Sequence, residues 1–266
     1  MKKIGFIGAG NMGYAMMKGL LNYKGNENII FTDVCTKRIQ LVKENLHIES
    51  VTNNKELIEK TKYIVLAIKP QYYSSVLKEI KGILTSNHVV ISIAPGITID
   101  YIKSQLKEDI RVVRAMPNTP ALIGEGMSVI SFSKDLFEDK ERNEVHRVFS
   151  TFGKVEEIEE SLMDAVVPIS GSSPAYVYMM IEAMADGGVL AGLPRELSYK
   201  LAAQTVMGSA KMILETKAHP GELKDAVCSP GGTTIEAVAT LEKLGFRSSI
   251  IEAMKECMRK TKSMRK

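Results

Sequence analysis

Two glycine-rich stretches hold the residue types and spacings that could do chemistry: "GAGNMG" from Gly8 to Gly13, and "SPGGTT" from Ser229 to Thr234. The first is a G-x-G-x-x-G pattern of Gly8, Gly10 and Gly13, with Asp33 following at the end of a second apolar run. Gly8 permits a tight turn, Gly10 lets a pyrophosphate approach bare backbone, and Gly13 lets a helix pack closely on a sheet. Asn11 and Met12 fall at the mouth of that helix, where unpaired N–H groups attract phosphate. A carboxylate at Asp33 can accept a hydrogen bond from a ribose 2′-hydroxyl. Together these features predict a dinucleotide site, against the plainer alternative of a glycine-rich turn.

A nicotinamide dinucleotide implies hydride transfer, and reducing a ketone needs a general acid on the reacting oxygen, commonly His, Lys or Tyr. No lysine occurs from Val155 to Tyr199. His47 and His146 fall on expected helix surfaces, His88 begins a strand, and only His219 lies near the second glycine-rich stretch. An imine substrate would remove the need, because its own nitrogen can carry the proton and the protein then only holds it. In "SPGGTT" the Thr234 hydroxyl can bond an imine or amine nitrogen, while N–H groups of Gly231 to Thr234 at a helix start can bind a carboxylate. The alternative is that Ser229 or Thr233 caps a helix after a turn. No metal site is expected, since Cys35, Cys228 and Cys257 are scattered without C-x-x-C spacing.

The elements that must position these residues are legible as a change of pattern along the chain. Short β-branched runs come first: "KIGFI" (3–7), "NIIFT" (28–32), "YIVLAI" (63–68), "HVVISI" (88–93), "RVVRA" (111–115) and "MSVISF" (127–132). Helix-length segments separate them, which predicts βαβ units and an α/β Rossmann-type domain with a mostly parallel sheet. Two loops at the carboxyl edge of that sheet, "AIKP" (67–70) and "AMPNTP" (115–120), put Lys69, Pro70, Pro117 and Asn118 along the expected cofactor groove. For each taken singly, a proline-terminated strand is the plainer reading. From about 160 the apolar spacing is helical throughout, so the expected domains are 1–159, dinucleotide-binding, and 160–266, all-α. Tyr178, Met179, Met180, Ile181 and Met184 cover more than one helix face, more than so small a domain can bury alone, and a partner is expected over the remainder.

Composition narrows the classes. The 266 residues are 45% hydrophobic and 25% charged, with a formal net charge of +4, an ordinary globular balance. The most basic stretch is the tail, 255–266, expected to be a helix end that then frays. No basic stripe is interleaved with aromatics, so no nucleic-acid partner is expected. The apolar run 175–191 is broken by Glu182 and Asp186, and the first ten residues are too glycine-rich for a signal peptide, so no membrane contact is expected. An odd number of scattered thiols suits a reducing cytoplasm.

The segment "HPGELKDAVCSPGGTTIEAVATLEKLGFR" (219–247) resembles the signature of the pyrroline-5-carboxylate reductase family. "GAGNMG", "AIKP", "MPNTPALIGEG" and "PAYVYMMIEAMADGGVLAGLPR" resemble that family in the same order, over essentially the whole chain. The resemblance implies reduction of 1-pyrroline-5-carboxylate to L-proline, the last step of proline synthesis, with NADPH or NADH as cofactor. It implies that Ser229, Gly231, Gly232, Thr233 and Thr234 hold the substrate, and that Asn54, Ala67 and Lys69 face the cofactor. It further implies an intertwined homodimer, stacked up to a decamer. One departure is "GSSPAY" (171–176), where Ser173 stands at a usual glycine.

Coenzyme choice sets sequence against family. Members commonly use NADPH, and many place Asn-Arg or serines where this chain has Asp33 and Val34. A carboxylate there repels a 2′-phosphate, which favours NADH, while Thr36, Lys37 and Arg38 lie close enough to offset part of that repulsion. Asp33 capping the next helix is the alternative. Two other functions remain open at this point: a different cyclic-imine or keto-acid reductase on the same scaffold, and a non-catalytic dinucleotide-binding protein.

Overall fold

The computed structural model describes residues 3–265. Eight strands form one sheet: β1 (Lys3–Ile7), β2 (Ile29–Thr32), β3 (Glu49–Ser50), β4 (Thr61–Leu66), β5 (Val89–Ser92), β6 (Arg111–Met116), β7 (Gly126–Phe132) and β8 (Gly153–Glu157). Their order is β3-β2-β1-β4-β5-β6-β7-β8. Every neighbouring pair is parallel except β6 with β7. The six expected strands are all present; β3 and β8, short or polar, carry too little apolar pattern to be read in advance.

Helices α1 (Asn11–Lys24), α2 (Thr36–Leu46), α3 (Asn54–Lys60), α4 (Tyr73–Ile80), α5 (Ile99–Gln105) and α6 (Asp139–Ser150) alternate with the strands. They cover both faces, which is why β2 and β5 are buried along their whole length and read as continuous apolar runs. One core joins Phe6 and Phe31 to Met16, Leu20 and Phe149; the other joins Ile64 and Val90 to Leu57, Leu77 and Ile102. Chain order reverses between β1 and β4, so the loops after these two strands diverge and leave a crevice at the carboxyl edge.

The remaining helices are α7 (Met163–Val166), α8 (Ser173–Leu190), α9 (Arg195–Thr216), α10 (Pro220–Ala226), α11 (Thr233–Lys243) and α12 (Phe246–Ser263). By its contacts the chain forms two compact units, one reaching to Ser172 and resumed from Cys257 onward, the other Ser173–Glu256. The helical pattern begins near 160, but α7 stays with the first unit. The reason is Arg114 of β6, 2% exposed, which ion-pairs with Glu160 at 3.3 Å and with Asp164 of α7 at 2.7 Å. A guanidinium that is so deeply buried is tolerable only when paired.

Within the second unit α8 and α9 meet through small residues. Ala185, Ser198 and Ala202 are buried, and a Cβ at Gly188 would lie 2.7 Å from the Ser198 hydroxyl, so the absent side chain sets how closely the helices approach. Larger apolar residues face outward, among them Met179, Leu190 (90% exposed) and Leu214 (77%).

The basic tail is the helix end that was expected, with Lys260 and Lys262 in the last turn of α12, but the expectation that it then frays is overturned. Thr261 is buried, the Met264 N–H bonds the Lys260 carbonyl, and Met264 packs on Gly96, where a Cβ would come 3.0 Å from the Met264 carbonyl oxygen. The Cys257 thiol also bonds the Ser172 hydroxyl at 3.2 Å. The lysines and arginines of the tail as far as Arg265 stay exposed, while contacts with residues far back in the chain anchor its backbone.

Candidate active site

The first glycine-rich turn lies at the crevice. Gly8 has φ +101°, and a Cβ there would come 2.5 Å from the Ala67 carbonyl oxygen, so only glycine fits between the ends of β1 and β4. A Cβ at Gly13 would come 2.5 Å from the Gly8 carbonyl oxygen, which is the close packing of α1 on the turn. Gly10 differs: a Cβ on it would have nothing within 4 Å, so the bare backbone there faces open space. Gly10 is also the N-cap of α1, no side chain caps it, and no acid occupies the first turn. The N–H groups of Asn11, Met12 and Gly13 therefore keep their positive pole for an anion. Bare backbone, open space and an uncapped helix start together fit a dinucleotide pyrophosphate.

Around this turn the expected residues take different positions. Asp33 directly follows β2, and its two carboxylate oxygens accept the Ala9 N–H at 2.6 Å and the Cys35 N–H at 2.8 Å. The N-cap of α2 is Cys35, without a side-chain cap, so Asp33 does not cap that helix. The Arg38 guanidinium donates to the Asn11 Oδ1, which draws a cation from α2 to the mouth of α1. Ala67 donates its N–H to the Ile7 carbonyl at 2.9 Å, while Lys69 is exposed and Pro70 opens a short 3₁₀ turn. Asn54 begins α3, and its amide donates to Glu79 of α4 at 2.9 Å.

Asn118 departs from its expected role as a groove-lining group. It is 9% exposed, its Oδ1 accepts the Met127 N–H at 2.9 Å and its Nδ2 donates to the Ser170 carbonyl at 3.0 Å. Both ends of the amide are thus committed within the protein. Arg114 is the other residue whose partners could not be foreseen; a charged residue inside the apolar run "RVVRAM" was the only signal of it.

In the second unit the loop 227–232 joins α10 to α11. Gly231 has φ +66°, a conformation that a side chain would strain, and it turns the chain into α11. The N-cap of α11 is Gly232, again without a side-chain cap. Capping by Ser229 or Thr233 is therefore corrected: Ser229 sits beside Gly232, where a Cβ would collide with its hydroxyl, and Thr233 is already the first helical residue. The result is a second uncapped helix start, with the half-buried Thr234 on its first turn. His219 is occupied elsewhere, accepting the Gly221 N–H as N-cap of α10. Among the described residues no group of three or more His, Cys, Asp or Glu side chains could hold a metal ion, and no helix is long and apolar enough to cross a membrane.

A glycine turn at the reversal point of a mostly parallel sheet, followed by a separate helical unit, defines the class as Rossmann-type oxidoreductases. Residues 160–264 match the family model described as pyrroline-5-carboxylate reductase dimerisation, and residues 3–96 match that described as NADP oxidoreductase, coenzyme F420-dependent. The chain is 46% identical over 268 residues to the pyrroline-5-carboxylate reductase of Escherichia coli K12, covering 100% of this chain and 99% of that one. It is 43% identical to that of Synechocystis, over 99% and 98% of the two chains. The structure of the Plasmodium falciparum pyrroline carboxylate reductase with NADP bound superposes with a TM-score of 0.90 at 35% identity, over 99% of this chain and 98% of that one. The chain belongs to the pyrroline-5-carboxylate reductase family.

Proposed function

We propose that this oxidoreductase reduces 1-pyrroline-5-carboxylate to L-proline, using NADPH or NADH. The observation that carries the reading is the uncapped start of α11 with Thr234 on its first turn. Ser229, Gly231 and Thr233 hold the substrate carboxylate through backbone N–H groups, Gly232 leaves the backbone bare for its approach while its own N–H closes the turn on the Ser229 carbonyl at 3.0 Å, and the Thr234 hydroxyl hydrogen-bonds the ring nitrogen. A protonated imine needs no other acid from the protein, which accounts for the absence of a lysine from Val155 to Tyr199. When bound, a reduced nicotinamide supplies the hydride. Gly8, Gly10, Asn11, Met12 and Gly13 receive its pyrophosphate, Asp33 the ribose, and Asn54, Ala67, Lys69 and Pro70 line the remainder. In this reading, 1–159 is the dinucleotide-binding domain and 160–266 the dimerisation and substrate domain.

The outward apolar residues of α8 and α9 support a homodimer, which the family's dimerisation segment also favours, with stacking to a decamer as the larger assembly. Light scattering should show at least a dimer; a stable, active 29.3 kDa monomer would count against it. Three unpaired thiols suit a reducing cytoplasm, and neither nucleic acid nor a membrane is part of this reading.

The direct test is loss of reduced-nicotinamide absorbance with pyrroline-5-carboxylate as acceptor, with L-proline identified as product. Six-membered cyclic imines and 2-keto acids serve as competitors. Faster turnover of any of these would reassign the substrate, and coenzyme binding without turnover would make the chain a non-catalytic binding protein.

A further inference from the structure

Between α7 and α8 the chain makes a wide, five-residue turn, Val167–Gly171, of π-helical geometry, closed by the Ser172 N–H on the Val167 carbonyl at 2.8 Å. Such turns cost helical regularity and recur at functional places. The sequence that follows shows a specific need here. In a continuing helix the Ser170 carbonyl would accept the N–H four residues on, but that residue is Pro174, which has none. The Asn118 side chain supplies the donor from a distance of 52 positions, at 3.0 Å. Its other end accepts the Met127 N–H of β7 at 2.9 Å. One buried amide therefore joins three segments: the loop after β6, strand β7 and the wide turn. Beneath it, Met116, Val129, Met163 and Val167 form a small apolar cluster, so the turn rests on packing and is oriented by the amide.

We propose that Asn118 is a positioning residue, whose amide takes the place of the N–H that Pro174 cannot give and so holds the 167–171 turn against the loop that follows β6. Two consequences bear on the reaction, and they rest on the reductase reading above. The loop after β6 lies at the carboxyl edge of the sheet, where coenzyme is received, so Pro117 and Thr119 keep their positions only while Asn118 is tied on both sides. The turn is also the segment through which the chain leaves for the helices that carry Thr234. A half-buried carbonyl left without its donor would shift to find one, and displacements of about 1 Å are enough to cost up to ~10²-fold in rate.

The test uses the full chain. Asn118→Asp still accepts the Met127 N–H but cannot donate to Ser170, so it isolates the bond in question. It should lower kcat at least about tenfold and raise KM for coenzyme at least about threefold, because the loop after β6 moves too; a general loss of folded protein would lower apparent kcat alone and leave KM unchanged. Backbone hydrogen exchange across 167–173, read without substrate or coenzyme, should rise at least about tenfold. Pro174→Ala restores a helical donor to Ser170, so the double variant N118D/P174A should recover most of both losses. Exchange and kcat of N118D equal to the wild type, or a double variant no better than N118D, would overturn the proposal. Should N118D not fold, the double variant decides: its folding supports the assignment and its failure to fold overturns it. Because exchange is independent of turnover, a wild type inactive on pyrroline-5-carboxylate would sink the reductase reading without touching this result.

Discussion

The Asp33 carboxylate accepts the Ala9 N–H at 2.6 Å, tying the end of β2 to the turn after β1. With its other oxygen on the Cys35 N–H, the carboxylate is fixed in orientation at the edge of the crevice rather than free to swing away from a 2′-phosphate. Its remaining lone pairs suit a ribose 2′-hydroxyl. Arg38, held on Asn11 at the mouth of α1, is a cation at hand for a phosphate. We expect both coenzymes to work, with NADH having the higher kcat/KM. Asp33→Asn should move the ratio toward NADPH by at least ~10-fold, about 1.4 kcal/mol, and Arg38→Ala should move it the other way. Steady-state kinetics with each coenzyme checks this; a strong NADPH preference untouched by Asp33→Asn would assign the choice to Lys37 and Arg38.

The two outer glycines of the first turn differ from the middle one in a way that substitution can separate. Gly8→Ala forces a side chain into positive φ and against the Ala67 carbonyl, and should destabilise the fold by roughly 1–3 kcal/mol. Gly10→Ala meets no atom and keeps an ordinary φ of −62°, so Tm should hold. Coenzyme KM should nevertheless rise at least about tenfold, because the methyl group fills the space where the pyrophosphate must approach. Thermal melts beside coenzyme titrations would show it; a Gly10→Ala protein with normal KM would remove Gly10 from the site.

Thr234 is assigned a hydrogen bond felt mainly in the transition state. Thr234→Ala should lower kcat by ~10²–10³, by comparison with loss of one oxyanion-hole donor, with coenzyme affinity little changed. Thr234→Ser keeps the hydroxyl and should keep much of the activity. An alanine variant turning over near the wild-type rate would end the assignment.

Glu141, 1% exposed, joins three elements: Lys62 lies 2.5 Å from one of its oxygens and Arg111 pairs with the other, while the Glu138 N–H also donates to it. Burial pushes its carboxyl up, but Lys62, the Glu138 N–H and Arg111 more than offset that, so it titrates below the ordinary carboxylate range. A lowered folded value means that the pair stabilises fully above the unfolded pKa and is lost as pH falls through the folded one. Glu141→Gln should therefore cost roughly 3–5 kcal/mol near neutrality, where it leaves Lys62 and Arg111 unpaired, and less in acid. Urea denaturation at both pH values measures the difference; an equal loss at each would mean that the charge is not what matters.

Local rules carried much of this protein. Strands β1, β2 and β4 to β7 were legible because a sheet covered on both faces demands unbroken β-branched runs. Gly8, Gly13 and Gly231 were legible because a turn, a close approach or a positive φ admits no side chain. Thr234 and Asp33 could be named from their distance along the chain to those glycines, since a helix start and a strand end set the geometry within a few residues. Other features needed the fold. Strand β8, "GKVEE", has no apolar signature because it lies at the sheet edge, and its pairing with β7 alone defines it. Arg114 looked misplaced in an apolar run until Asp164, 50 positions on, came to meet it. Asn118 looked like a groove-lining group until Ser170 and Met127 claimed both ends of its amide. The basic tail looked frayed until Gly96 received Met264. In each of these cases at least one deciding partner is dozens of residues away, and burial, which fixes whether a polar group must be paired, exists only once the chain has folded.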